Sequence, residues 1–234
     1  HKLDPIGNNV IRNKQSDSAN VIIFPDQSPN QILNGYAKGS MPDEYTGGVG
    51  KEGVENLKRF VESGGTLVFL ILSSDFAIEQ FKLPIKGITR GPARKDFFIP
   101  GSILRTELDL THPIAKGMPA QSIAWFENSP VFEIVGDSQQ SEPPALAGSQ
   151  SAGATNWTAA NAAGSDIRII ARYPSNPKDI LLSGWALGAE KIAGKAALIE
   201  VTMGKGKIIL FGFRPQYRGQ SLATFPLLFN AISN

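Results

Sequence analysis

Apolar residues fall into unbroken runs in the first third of the chain and into alternating runs after it. Val21-Ile22-Ile23-Phe24, closed by Pro25-Asp26, and Thr66-Leu67-Val68-Phe69-Leu70-Ile71-Leu72 are uninterrupted. A strand needs that pattern when both its faces are covered in a parallel sheet. Between them Lys51 to Ser63 takes helical period, with Val54, Leu57, Phe60 and Val61 on one face. Gly64-Gly65 stops this helix, because a left-handed C-terminal residue costs glycine least. The stretch up to Gly50, rich in Gly, Pro and Asn, reads as loop. Ser73-Ser74-Asp75 then opens a short helix through Phe81, with Ser or Asp placed as its N-cap.

From about Phe97 the period changes. Alternation around Phe98 to Leu108 and Ile123 to Val135 predicts antiparallel strands, and strand signals return at Ile167 to Ala171 and Ile180 to Leu182. Residues 137 to 166 carry hardly a large apolar side chain beyond Leu146 and Trp157 and read as a surface excursion. Ala196 to Thr202, Met203-Gly204-Lys205-Gly206 and Lys207 to Phe213 form the strongest hairpin signal. Ser221 to Ile232 closes as an amphipathic helix with Leu222, Phe225, Leu228, Phe229 and Ile232 expected to face inward. The rhythm predicts a doubly wound, flavodoxin-like α/β domain over residues 1 to 234, with a mostly parallel sheet and added antiparallel strands in the C-terminal half. Such a domain starts with a strand and crossover helix. The polar lead-in 1 to 20, with only Val10-Ile11 as an apolar step, scarcely supplies both, so the sequence reads as a piece of a longer chain.

Composition narrows the partners. With 234 residues, 41% hydrophobic and 19% charged, the chain can bury a sizeable core. Lys plus Arg total 23 against 21 for Asp plus Glu, a net charge of +2 without a basic block, so no nucleic acid is expected as partner. The longest apolar runs, Leu67 to Leu72 and Lys207 to Phe213, are far too short to cross the roughly 30 Å hydrocarbon core of a bilayer. The absence of cysteine removes thiolate nucleophiles, Cys-ligated metals and disulfides together. His1-Lys2-Leu3-Asp4 has no signal-peptide character.

Chemistry, if present, belongs at the turn after the second buried strand, where α/β enzymes expose a nucleophile beside helix N–H groups. That turn offers Ser73, Ser74 and Asp75, without the flanking glycines of G-x-S-x-G. The only imidazoles are His1 and His112, and the latter sits in a Thr-His-Pro loop better read as structural. No His/Glu spacing suits zinc, so no metal or other cofactor is expected in this chain. Gly47-Gly48-Val49-Gly50-Lys51 lacks the full phosphate-loop spacing and reads as the lead into a helix. The most polar constellation is Phe213-Arg214-Pro215-Gln216-Tyr217-Arg218-Gly219-Gln220, directly after a buried strand. Its guanidiniums suit carboxylate ligands, or structural pairs with Glu44, Asp75 or Glu79. The candidate site is therefore Glu44, Ser73, Ser74, Asp75, Arg214, Gln216 and Arg218.

These residues also carry a resemblance. Phe60-Val61-Glu62-Ser63-Gly64-Gly65-Thr66-Leu67-Val68 resembles the helix, double glycine and strand before the nucleophile turn of class I glutamine amidotransferase-like domains. Gly206 to Gln216 is similar to their last strand and His-Pro-Glu turn. More narrowly, Pro25-Asp26-Gln27, Glu44-Tyr45-Thr46-Gly47-Gly48, Pro100 to Arg105, His112 to Pro119 and Phe213 to Gln220 resemble the C-terminal amidotransferase-like domain of bacterial zinc carboxypeptidases. The family's cysteine would match Ser73 or Ser74, and its histidine and glutamate would match Arg214 and Gln216, so the triad is missing.

The resemblance thus implies a non-catalytic accessory domain of an exported, periplasmic or secreted bacterial protein. Zinc is expected only in an upstream peptidase domain, and the expected partner is that domain or a second copy of this chain. A ligand-binding module for carbohydrate or an acidic peptide end is the alternative. A serine hydrolase using Ser73 or Ser74 ranks last.

Overall fold

The computed structural model describes residues 5–13, 19–43, 46–135, 157–160, 166–219 and 221–233. Two apolar runs become parallel neighbours, β1 (Val21–Phe24) and β2 (Thr66–Leu70), in the register Val21 to Thr66 through Phe24 to Phe69. On the other side of β2 lies β11 (Gly206–Phe211), also parallel, with Phe211 opposite Leu70. The sheet then continues through β10 (Ala196–Met203), β8 (Asp166–Arg172), β4 (Pro100–Leu108) and β5 (Gln121–Glu127), each antiparallel to the one before. Short strands attach to this path: β3 (Ile85–Gly87) on β6 (Phe132–Ile134), β6 on β10, β7 (Thr158–Ala160) on β8 and β9 (Leu181–Ser183) on β4.

The expected mostly parallel sheet is therefore corrected. Two parallel pairings stand against eight antiparallel ones among the described residues. The reason is connectivity: a parallel neighbour requires a crossover, usually helical, whereas strands joined by short turns pair antiparallel. No α-helix lies between Gln80 and Phe225 among the described residues. The fold class is mixed α/β with one mixed sheet. That sheet also curls, since Arg214, just past β11, forms a bridge with Trp125 on β5, the strand at the far end of the order.

Helices cover both faces of the parallel part. On one side, α2 (Pro29–Leu33), α3 (Gly50–Glu62) and α4 (Ser73–Gln80) bury Ile32, Val54, Leu57, Val61, Phe76 and Ala77 against Phe24, Phe69 and Ile208. Phe24 and Phe69 stack at 4.6 Å here, with Phe76 and Phe81 around them. On the other side α5 (Phe225–Ser233) places Leu227 and Ala231 among Val68, Ile209, Phe211, Phe213 and the inner residues of the antiparallel half.

Three local readings are revised. The stretch before Gly50 contains α2, whose Ser28 and Gln31 form a reciprocal capping box with Pro29 at the first helical position. The lead-in contains α1 (Asn8–Arg12), which buries Ile11 and is tied to α3 where Asn56 Nδ2 donates to the carbonyls of Ile11 and Arg12. The final helix starts four residues late. Leu222 to Thr224 form a 3₁₀ turn, so the phase is reset: Leu227 and Ala231 are buried, while Leu222 and Phe229 are 65% and 59% exposed. Of the excursion, Trp157–Ala160 and Asp166 lie within the described residues: Thr158–Ala160 form β7, Asp166 opens β8, and Arg172 lies over the Trp157 ring.

Candidate functional site

The loops that follow β1, β2 and β11 converge because the three strands are parallel neighbours, the usual position for a ligand site in an α/β sheet. After β2 the chain turns sharply at Ile71, whose φ of 56° lies in the left-handed region and whose side chain is 1% exposed. A β-branched residue there stores about 1–3 kcal/mol of strain. The turn is held by the Ile71 N–H, which donates to the Phe211 carbonyl at 2.9 Å. Helix α4 then begins with Leu72 as N-cap and no side-chain cap.

The free N–H of Leu72 donates instead to Asp26 Oδ1 at 3.2 Å, reaching across from the loop after β1. The second carboxylate oxygen, Oδ2, lies 2.8 Å from Arg214 Nη1, on the loop after β11. Arg214 is anchored twice more: its backbone N–H donates to the Trp125 carbonyl at 3.3 Å, and its Nε lies 3.6 Å from Glu127 Oε2. That Nε is enclosed and has no hydrogen-bond partner. Beside it the rings of Trp125 and Tyr217 stack at 4.7 Å, and the guanidiniums of Arg218 and Arg214 lie 5.1 and 5.9 Å from the Tyr217 ring centre.

Among the predicted site residues, Arg214 alone is at this junction with an ion-pair partner across it. Ser73 and Ser74 are fully buried. The Ser73 hydroxyl accepts from Leu70 N–H at 2.8 Å and lies within donating distance of the carbonyls of Leu70, at 2.8 Å, and Phe24, at 3.1 Å. Ser74 Oγ lies 3.5 Å from the carbonyls of Phe69 and Phe211. These serines knit strand ends together rather than capping α4. Asp75 pairs with Arg90; burial raises its carboxyl above the usual range, with the Arg90 charge working against the rise. Gln216 and Arg218 are exposed. Glu44 lies outside the described residues.

The two ring nitrogens of His112 are committed elsewhere. Nδ1 accepts the Ile114 N–H at 3.2 Å, and Nε2 lies 3.5 Å from Glu200 Oε1 on β10. Burial pushes the Glu200 carboxyl up, but the His112 hydrogen bond and the charges of His112, Lys207 and Arg168 hold it below its ordinary value. At Gly48 a side chain would collide with the Leu33 carbonyl, 2.3 Å from the Cβ position, so this glycine serves a close approach of loop to α2. Among the described residues no group of three or more His, Cys, Asp or Glu side chains could hold a metal, and no helix is long and apolar enough to cross a membrane.

At a nucleophile turn, the strained residue carries the nucleophile and the N–H after it stabilises the oxyanion. Here the strained residue is Ile71, two positions before Ser73, and it has no nucleophilic atom. The N–H after it is engaged by a carboxylate. The third loop presents a guanidinium, which offers N–H donors and no acceptor atom to serve as a base. What the groups can do is hold a carboxylate between a backbone donor and a planar cation. Sequence reasoning names neither Asp26 nor Ile71 as site residues, nor Trp125 and Glu127. An acid just after the first buried strand is the available signal for Asp26.

No family model matches the chain, and no curated protein matches it. Among solved structures, it is similar to a cytoplasmic protein of Salmonella typhimurium LT2, with a TM-score of 0.53 at 10% identity over 99% of this chain and 80% of that one. A ThuA-like protein of Bacteroides uniformis aligns at a TM-score of 0.45 and 14% identity over 91% of this chain and 67% of that one. A GMP synthase subunit from Thermoplasma acidophilum aligns at a TM-score of 0.48 and 10% identity over 97% of this chain and 78% of that one. Likeness at this level speaks to fold alone.

Proposed function

We propose that this chain is a non-catalytic interaction domain on a class I glutamine amidotransferase-like fold, and the accessory C-terminal domain of an exported zinc-carboxypeptidase-like protein. The observation that carries the reading is the junction itself. Ile71 takes the strained turn, and Asp26 joins the adjacent Leu72 N–H to Arg214. Nucleophile and base are both replaced by groups that lock the loops together. The parent assignment rests on five sequence segments, from Pro25-Asp26-Gln27 to the Phe213–Gln220 turn.

An apolar surface supports the docking role. Leu181, Leu182, Trp185 and Leu187 are 38%, 41%, 63% and 40% exposed within one seven-residue stretch. Trp185 is held outward by its backbone, since the buried Ser102 Oγ donates to its carbonyl at 2.7 Å and accepts its N–H at 3.0 Å. A pre-organised, exposed tryptophan flanked by leucines is the composition of an interface anchor. The occupant in this reading is the upstream peptidase domain.

Two measurements test it. The full-length reading frame is expected to hold a zinc domain with His-x-x-Glu before residue 1, and its absence would end the peptidase assignment. The chain should co-elute with that domain in size-exclusion chromatography, and Trp185→Asp should weaken the complex without unfolding the chain. Unchanged binding by that variant would remove the docking surface.

A further inference from the structure

We propose that Leu72 N–H and the Arg214 guanidinium form a carboxylate-binding site whose resident occupant is the chain's own Asp26. The site is built from three loops, so it exists only in the folded protein. Its two groups are complementary to a carboxylate: the Leu72 backbone N–H donates to Oδ1 at 3.2 Å, and Arg214 Nη1 pairs ionically with Oδ2 at 2.8 Å, so that each oxygen has its own partner. Each of the two groups also has an anchor other than Asp26. The Ile71–Phe211 hydrogen bond holds the turn that carries the Leu72 amide, while the Trp125 carbonyl holds the Arg214 backbone and the Tyr217 ring lies beside its guanidinium. A receptor that keeps its geometry without its ligand is pre-organised for that ligand.

Asp26 has the character of a displaceable occupant. Its side chain is 26% exposed, it sits on a loop rather than inside a strand, and it is held by one hydrogen bond and one ion pair. Glu127, 3.6 Å from Arg214 Nε, balances part of the cation's charge and disfavours a second external anion while Asp26 is in place. Tethering gives Asp26 a high effective concentration, so a free monocarboxylate does not displace it from the intact chain. The natural ligand class is a carboxylate with further contacts, such as an acidic peptide end whose neighbouring groups reach the exposed Arg218 and Gln216. The inference stands apart from docking through Trp185, and either can fail alone.

The test vacates the site and supplies a small carboxylate. Asp26→Ala and Asp26→Gly are titrated with sodium acetate, against sodium chloride and sodium sulfate at matched ionic strength, and Tm is read by calorimetry. Both variants are expected to gain a saturable rise of about 3–6 °C when acetate reaches about ten times its dissociation constant. The unsubstituted chain is expected to show no acetate-specific rise, and Arg214→Met added to Asp26→Ala should abolish it. The proposal is overturned if neither variant responds to acetate more than the unsubstituted chain does. It is equally overturned if chloride or sulfate gives the same rise, which marks an adventitious ion only, or if the response survives Arg214→Met.

Discussion

The backbone N–H of Arg214 donates to the carbonyl of Trp125 at 3.3 Å, and the ring of Tyr217, stacked on Trp125, lies beside the Arg214 guanidinium. One residue thereby ties the far strand of the antiparallel half to the loops of the parallel half. The curled sheet brings its two ends together at this contact, and the guanidinium of the same residue pairs with Asp26.

Removing that guanidinium should be felt in stability. Arg214→Met leaves two partly exposed carboxylates, Asp26 and Glu127, without their common cation, and a loss of about 1–2 kcal/mol in urea unfolding is expected. Arg214→Lys should recover less than half of it, since an ammonium lacks the fork that spans both acids. Full recovery with lysine would show that charge alone matters.

The turn at Ile71 should be chemically silent even when given a nucleophile. The side chain is 1% exposed, so Ile71→Cys should react with iodoacetamide at least about tenfold more slowly than Gln216→Cys on the exposed loop. Comparable rates, read by mass spectrometry on folded protein, would place the residue at the surface.

The phase of α5 gives a paired prediction. Leu227→Ala removes a fully buried side chain and should cost about 2–5 kcal/mol, whereas Phe229→Ala, at 59% exposure, should stay within about 0.5 kcal/mol. The reverse order in denaturant melts would restore the phase expected from the sequence.

Acid sensitivity should trace in part to Asp109. This buried carboxyl is pushed up by burial, yet hydrogen bonds from Thr111 and Arg168 outweigh that and hold it below its ordinary value. A depressed folded-state value contributes stability that is present above the unfolded value of about 4 and lost as pH falls through the folded one. Asp109→Asn should therefore lower Tm at neutral pH and flatten its decline below about pH 4. An unchanged slope would remove Asp109 from the acid limb.

Much of the element list is legible in the sequence because its signals are local. The unbroken runs at 21–24 and 66–70, the helical period at 51–63 and the hairpin around Gly204-Lys205 each depend on a few adjacent residues. The capping box of Ser28 and Gln31 is equally local, but it is masked by a stretch rich in loop formers. The candidate site is less legible. Ser73 and Ser74 match a nucleophile turn by type and nearness to the strand end, but a side chain's direction there depends on which residue takes the positive φ. That residue is Ile71, a β-branched type that sequence preference disfavours at the position.

By itself, the sequence determined where the main buried strands and the helix before the double glycine lie, that its 234 residues include no cysteine and two histidines, and that a polar turn follows the last buried strand. Tertiary structure alone decided that Asp26, Leu72 and Arg214 meet, although 46 residues separate the first two and 142 separate the last two. Strand order sets that meeting. Order in turn follows from how apolar faces are covered across the whole molecule, a global balance of burial that no short window of sequence contains.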